Sequence, residues 1–402
     1  MYASAPLSNP QPEIALRLLP PALLTLAVFA TAVPPAAEAQ PARSGVVRGR
    51  VVDAETGEPL PGAHVFFSTT TLGAATDSAG RFSFERGAPV GAQRLHASMM
   101  GYESATRDTL LRAGRRYRLR LALEPTVVEA EAVDVAARRA DDDWKTRGDE
   151  DWADLVEKFE RLFIGETPEA DEVRLHNPEV LAFNPSWWGN LEADAGAPLV
   201  FENRALGYRV RYHLAEFDGS HAELRWDGEP LFEKLTPTDR TEAARWERNR
   251  RRAFRGSLRH FLLALLGDSL GEAGFLVHRV PKRDPFGASQ RRAGPDPTDA
   301  ERLLELPSAA ARDTLPEGTR LLDFHDRLRV TYTREEEDPA FPRWQRSRRA
   351  PRGSQRSYLE LSGGDPVTVD PAGEIVEPYG ATLFGYFAFE RLARLLPKGY
   401  RP

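Results

Sequence analysis

The chain has 402 residues with 54 basic and 60 acidic side chains, a formal net charge of -6 and 41% hydrophobic content. A mildly acidic balance excludes a whole-domain nucleic-acid binder, and the length supplies apolar material for two ordinary cores. The absence of cysteine excludes disulfides, thiol catalysis, thiolate metal sites and lipid attachment at a cleavage-site cysteine.

At the amino terminus Arg17 precedes the apolar run "LLPPALLTLAVFATAV", and Ala37-Glu38-Ala39 supplies a small-residue cleavage pattern. This predicts a signal peptide over residues 1–39, a mature chain starting at Gln40, and export. The run contains two prolines and is shorter than the ~20 residues that a membrane-spanning helix needs. No later stretch reads as a spanning segment. Export places the protein in the periplasm or at the outer-membrane or cell surface, not lipid-anchored, where nucleic acid is rarely met.

From Val46 the chain reads as short alternating strands separated by turn formers. Asp53 to Gly57 and Asp77-Ser78-Ala79-Gly80 supply turns, and Phe82 and Phe84 share one sheet face. Tyr117, Leu119, Leu121 and Leu123 alternate with Arg118, Arg120 and Ala122, which predicts a strand with one wet face. Six or seven such strands make a small β-sandwich. The run "GRVVDAETGEPLPGAHVFFSTTTLGAATDSAGRFSF" resembles the carboxypeptidase regulatory-like domain in its G-x-V-x-D-x-x-T-G-x-P-L-P-G-A-x-V spacing and its T-D-x-x-G-x-F-x-F. The resemblance implies a prealbumin-like sandwich over residues 44–135.

Residues 136–158 are highly charged and read as a linker, passing into a short helix from Trp152 to Phe163. Residues 159–402 read as a β-rich α+β domain. Alternation at Tyr208, Val210 and Tyr212 gives a strand, Asp218-Gly219 and Asp227-Gly228 give hairpin signals, and residues 238–270 give one long helix with Thr238 or Asp239 as cap. Strands are expected over Gly274 to Val280, Arg320 to Thr333 and Ser357 to Ile375. An exposed Pro, Arg and Asp-rich insertion covers residues 281–316, and a terminal helix runs from Leu383 to Leu396. The fold class is thus mainly β with some α. "LVFENRALGYRVRYHL", "RWERNRRRAFRGSLRHFLLALL" and "YFAFERLARLLPKGYRP" are similar to the downstream region of bacterial envelope proteins that carry such a regulatory-like domain, which implies architecture and location but no activity.

Catalytic patterns fail one by one. His176-Asn177-Pro178-Glu179 matches the His-x-x-Glu of zinc carboxypeptidases, yet it lies among short strands without the accompanying catalytic domain. Gly256-Ser257 is not a nucleophile elbow, and Ser257 with His260 fits helix geometry better than a nucleophile and base. No phosphate loop or dinucleotide fingerprint is present, so no cofactor and no metal are expected.

The stretch Arg245 to Leu266 packs seven arginines into its first fifteen positions. On a helical wheel Phe254, Leu258, Phe261, Leu262 and Leu265 form an apolar face, while Arg245, Arg248, Arg252, Arg255 and Arg259 share the opposite arc and are expected to be solvated. Arg250 lies on the apolar side beside Trp246, bordered by Asn249, Ser257 and His260. A guanidinium there must be paired or bonded to carbonyls, locking the helix to a sheet or forming a small polar ligand site. Trp187-Trp188 fills a core or offers a platform for a sugar ring or peptide. These observations predict an exported, non-enzymatic envelope protein acting in binding or assembly through protein or glycan contacts. The alternatives are a hydrolase of unrecognised type in the second domain and a fragment related to TonB-dependent receptors, the latter lacking repeated barrel strands.

Overall fold

The computed structural model describes residues 45–126, 151–185, 190–220, 223–280, 311–314 and 319–402. The expected signal segment, the Trp187-Trp188 pair and most of the 281–316 insertion lie outside them.

The alternating stretch after Val46 gives β1 (Gly45–Asp53), β2 (His64–Phe67), β3 (Gly73–Ala75), β4 (Arg81–Ala88), β5 (Gly91–Ser98), β6 (Ala105–Leu111) and β7 (Arg116–Leu123). They form two sheets, β4-β1-β7 and β3-β2-β5-β6. Local turn chemistry sets this layout. Asp53 Oδ1 accepts from the N–H groups of Glu55 at 2.9 Å and Thr56 at 2.8 Å, and Asp77 Oδ1 does the same for Ala79 and Arg81. Such Asx closures reverse the chain with no help from elsewhere. On β7, Leu119, Leu121 and Leu123 face the core and the arginines face out.

The second unit starts with α1 (Trp152–Phe163), whose Leu155, Phe159 and Phe163 recur every fourth residue and are buried. Its core therefore begins before residue 159, inside the stretch expected to be linker. β8 (Val173–Leu175), β9 (Leu181–Pro185), β10 (Leu191–Ala195), β11 (Leu199–Asn203), β12 (Tyr208–Gly219) and β13 (Leu224–Lys234) follow. They form one sheet in the order β8-β11-β12-β10-β9, with β13 also pairing β12. Phe163 meets Tyr212 at 5.0 Å and Phe159 meets Phe217 at 4.8 Å between ring centroids, seating α1 on this sheet. Asp227-Gly228, expected as a hairpin tip, lies inside β13 opposite an irregularity between Leu214 and Glu216. The chain reverses nearer Ser220, whose N–H donates to the Glu223 carbonyl.

The single helix expected over residues 238–270 is three: α2 (Arg240–Phe254), α3 (Leu258–Leu266) and α4 (Leu270–Ala273). Asp239 caps α2 by accepting from the Glu242 N–H at 2.8 Å. The break falls at Gly256, which has φ +76° and sits so close to Gln355 that a Cβ there would lie 2.2 Å from its Oε1. A wheel drawn through this point continues a periodicity that the backbone abandons.

The rest comprises β14 (Phe275–Val280), β15 (Ala311–Thr314), β16 (Arg320–Leu322), β17 (Arg327–Tyr332), α5 (Ala340–Trp344), β18 (Gln355–Leu361), β19 (Val367–Val369), β20 (Ala381–Gly385) and α6 (Tyr386–Phe389). Their sheets run β14-β17-β18-β20 and β15-β16-β19. The terminal helix expected from Leu383 to Leu396 is absent. Leu383 pairs with Leu359 in the sheet, α6 lasts one turn, and a short 3-10 turn at Leu392–Arg394 leads into an extended tail. Sheet pairing takes the first part, and Leu392, Ala393 and Leu396 are buried in the second unit's core instead of forming a helix face. The fold is mainly β: a sandwich followed by an α+β domain.

Candidate functional site

The arginine-rich stretch is a clamp. Trp246 Nε1 donates to the Arg204 carbonyl at 2.7 Å, Asn249 Nδ2 to Ala205 at 2.9 Å, and Arg250 Nε to Leu206 at 2.7 Å. Arg250 also lies 4.3 Å above the Tyr208 ring. Three successive carbonyls of the turn between β11 and β12 are thus satisfied by one face of α2. Gly207 closes the turn with φ +69°, and a Cβ there would come within 2.3 Å of the Trp246 ring. Ser257 caps α3 by accepting from the His260 N–H, and its hydroxyl donates to the Phe254 carbonyl. His260 Nδ1 accepts from the Gly256 N–H at 3.1 Å. Its ring packs 5.0 Å from Phe254 and 4.8 Å from Phe275, and burial pushes its pKa down to about 4. Ser257 and His260 share an α-helical cap, with no geometry for proton transfer between hydroxyl and imidazole.

The opposite arc is solvated only in part: Arg248, Arg252 and Arg255 are exposed as helical periodicity suggested, but several of its arginines are also tied down. Arg245 grips Glu172 at 2.6 Å, Arg252 grips Glu169 at 2.6 Å, and Arg259 donates to the carbonyls of Leu396 and Pro397. Acids and carbonyls far along the chain meet these arginines, and no local sequence pattern encodes that. At the centre Arg394, 3% exposed, donates from Nε to the fully buried Glu169 at 2.9 Å. Its Nη1 donates to Tyr386 Oη and to Glu390 Oε1, each at 3.3 Å. Burial opposes ionisation of Glu169, but Arg394 and Arg252 outweigh it and hold the carboxyl below its usual range. Glu390, buried with less compensation, is pushed up to about 7. Perturbed acids of this kind mark active sites when a cleft reaches them. Here the group joins the 3-10 turn Pro168–Glu172, α2, α6 and the tail, and reads as a packed lock.

The tail continues this lock. Asn203 Nδ2 donates to the Ala393 carbonyl, Lys398 Nζ reaches Asp370 Oδ2 at 3.1 Å, and Tyr400 Oη donates to Glu247. Its Lys398 N–H donates to the Thr69 carbonyl at 2.7 Å, which ties it to the sandwich.

That contact belongs to a junction between the two units. Thr69 N–H donates to Pro230 at 2.7 Å, Phe232 N–H donates to Thr70 at 2.8 Å, and Thr70 bridges Leu231 in parallel. Arg94 on β5 pairs with Asp108 at 3.0 Å and with Glu229 on β13 at 3.2 Å. Beside these contacts opens a cleft of ≈ 440 Å³ with sandwich residues Thr69, Arg94 and Asp108 on one side and Asp227, Glu229 and Lys398 on the other. Burial pushes Glu229 up, opposed by Ser68 and Arg94. Such a mixed-charge concavity between units can orient a polar ligand through paired donors and acceptors. Sequence reasoning missed it, because its walls come from positions more than a hundred residues apart and the one local signal, Asp227-Gly228, reads as a turn.

His176 is half exposed and lies 3.8 Å from Glu202, while Glu179 sits in a separate 3-10 turn. Among the described residues no group of three or more His, Asp or Glu side chains is arranged to hold a metal ion, and no helix is long and apolar enough to cross a membrane.

No curated protein matches the chain. Among solved structures it is similar to 3-chlorocatechol 1,2-dioxygenase from Rhodococcus opacus 1CP at 16% identity, covering 22% of this chain and 62% of that one, with a TM-score of 0.19. It is also similar to the Klebsiella pneumoniae 5-hydroxyisourate hydrolase at 21% identity, covering 20% and 85%, with a TM-score of 0.17. Catechol 1,2-dioxygenase from Acinetobacter sp. ADP1 aligns at 13% identity over 23% of this chain and 56% of that one, with a TM-score of 0.18. The chain spans less than two thirds of both dioxygenases, and likeness of this depth carries no argument about activity. The family model of the CarboxypepD_reg-like domain matches residues 47–135. With its strands, Asx turns and buried core where that match falls, the front of the chain is a CarboxypepD_reg-like domain.

Proposed function

We propose that this is an exported, non-enzymatic protein of a bacterial cell envelope that acts in binding or assembly, taking a protein segment or glycan in the cleft between its regulatory-like sandwich and its second domain. The observation that carries the reading is the cleft itself: a concavity of ≈ 440 Å³ walled by both units and lined by Arg94, Asp108, Asp227, Glu229 and Lys398. Binding is favoured over catalysis because the reactive side chains that the sequence offered are engaged structurally. Ser257 caps a helix, His260 accepts a backbone bond, and Arg250 holds a turn. Export rests on the charged start, the apolar run and Ala37-Glu38-Ala39.

Capture from intact envelope tests the reading, with the mature chain as bait and Asp227→Arg as the cleft-blocking control. A defined protein or glycan retained by the wild type and lost with the variant is the expected result. Equal capture by both, or none by either, contradicts it.

A further inference from the structure

The face of the sandwich that meets the second domain carries an imidazole pair. Phe66 on β2 is 1% exposed, yet it lies outside the sandwich core and packs across the junction. Its ring centroid is 4.9 Å from that of His96 on β5 and 5.2 Å from that of His213 on β12, and the two imidazoles lie 4.5 Å apart. His96 Nδ1 bonds the Thr106 hydroxyl at 3.1 Å. Its Nε2 is buried without a hydrogen-bond partner. A second proton on this pair would place charge in a site built from aromatic carbon.

The surrounding charges do not prepare the site for that proton. β2 contributes His64, β5 Arg94, β6 Asp108, β12 Arg211, and β13 Asp227, Glu229 and Glu233. Asp108 and Glu229 share Arg94, and Glu233 is taken by Arg211 at 2.6 Å. His64 and Arg211 repel a cationic His213. Burial, with His213 beside it, holds His96 down to about 3, and burial with His64 and Arg211 holds His213 to about 4.

The sandwich core and the two larger cores of the second unit are separate clusters. Among the described residues the join includes the aromatic contact, the Arg94–Glu229 pair, a Ser68–Glu229 hydrogen bond, packing of Leu231 near Gly73 and of Pro371 near Gly91, and backbone bonds at Thr69, Phe232 and Lys398.

We propose that the His96–His213 stack makes this junction an acid-opened latch, closed while both imidazoles are neutral and released when they take up protons. The inference does not depend on what the cleft binds. A histidine whose pKa is depressed in the closed form stabilises closure fully above its free value of 6.5 and progressively less as pH falls toward 4. At pH 5 each imidazole raises the opening equilibrium roughly 30-fold, and both together up to about a thousandfold.

Hydrogen exchange on the full mature chain, corrected for intrinsic rates, tests this. Between pH 7.5 and pH 5 the Thr69, Phe232 and Lys398 amides should lose at least tenfold in protection, while the Leu60 amide, bonded to Val51 within the sandwich, keeps its own. His96→Phe with His213→Phe, which keeps the rings and removes the titration, should abolish the difference. Parallel loss at Leu60, or an undiminished acid response in the double variant, overturns the proposal. Should the double variant not fold, imidazole titration of the wild type by NMR decides: values below about 5 for both support the latch, and values near 6.5 refute it.

Discussion

Arg394 is the side chain on which the second unit's packing most depends, and replacing it gives a worked test. Arg394→Met keeps much of the aliphatic stem but removes the bond to Glu169 at 2.9 Å, the bonds to Tyr386 and Glu390 at 3.3 Å, and the approach to Asp338 at 3.7 Å. Removing one partner of a buried pair costs about 3–5 kcal/mol, because the remaining charge stays buried. Glu169 retains Arg252 at 2.6 Å, which places the expected loss near the lower end, about 3 kcal/mol. Glu390 adds a pH signature. Its folded pKa, already pushed up to about 7, rises further without Arg394. A raised carboxyl favours the folded state at low pH and loses that contribution as pH rises, so the deficit should be larger at pH 8 than at pH 6. Urea unfolding followed by circular dichroism measures it, with the m-value checking that the transition is otherwise unchanged. A loss below about 1 kcal/mol, or a larger deficit at pH 6 than at pH 8, would refute the account of the lock.

Three further outcomes are expected. Gly207→Ala forces a Cβ into the Trp246 ring and strains a positive φ, and should destabilise by about 2–4 kcal/mol, whereas Arg248→Ala on the exposed side of α2 should stay within about 0.5 kcal/mol; similar values for the two would show that the clamp is unimportant. Limited proteolysis should cut first within residues 138–151, yet the two fragments should co-elute at pH 7.5 because the junction still holds them; separate elution would show that the junction is too weak to act as a join. Purified protein should contain no stoichiometric zinc, and His176→Ala should leave peptide hydrolysis at background; one zinc per chain lost together with hydrolysis in that variant would make the second domain catalytic.

The sandwich was legible because its signals are local. Asp53 and Asp77 build their own turns from neighbours two to four residues away, and the period-2 pattern of β7 needs no knowledge of partners. Helix α1 was legible for the same reason, since Leu155, Phe159 and Phe163 carry their own period. What escaped was set by contacts at long sequence separation. Arg252 and Arg394 converge on Glu169 from 83 and 225 residues away, so the sequence shows an arginine face that is partly exposed but not that Arg245, Arg252 and Arg259 on it are held by distant partners. Gly256 looks like any helix glycine until β18 is brought against it. Leu383 and its neighbours have helical spacing, but an open strand, β18, was there to pair with them. The cleft is the extreme case, because Arg94, Glu229 and Lys398 share no motif and meet only through the docking of two units.

The most direct test of the binding reading is hydrogen exchange on the complex recovered from envelope, compared with the free chain at one pH. Protection confined to residues 92–94, 108–110, 227–229 and 374–376, with the ligand recovered chemically unchanged, is the predicted result. Protection centred elsewhere, on the β14-β17-β18-β20 sheet for example, or recovery of a cleaved product, would contradict it.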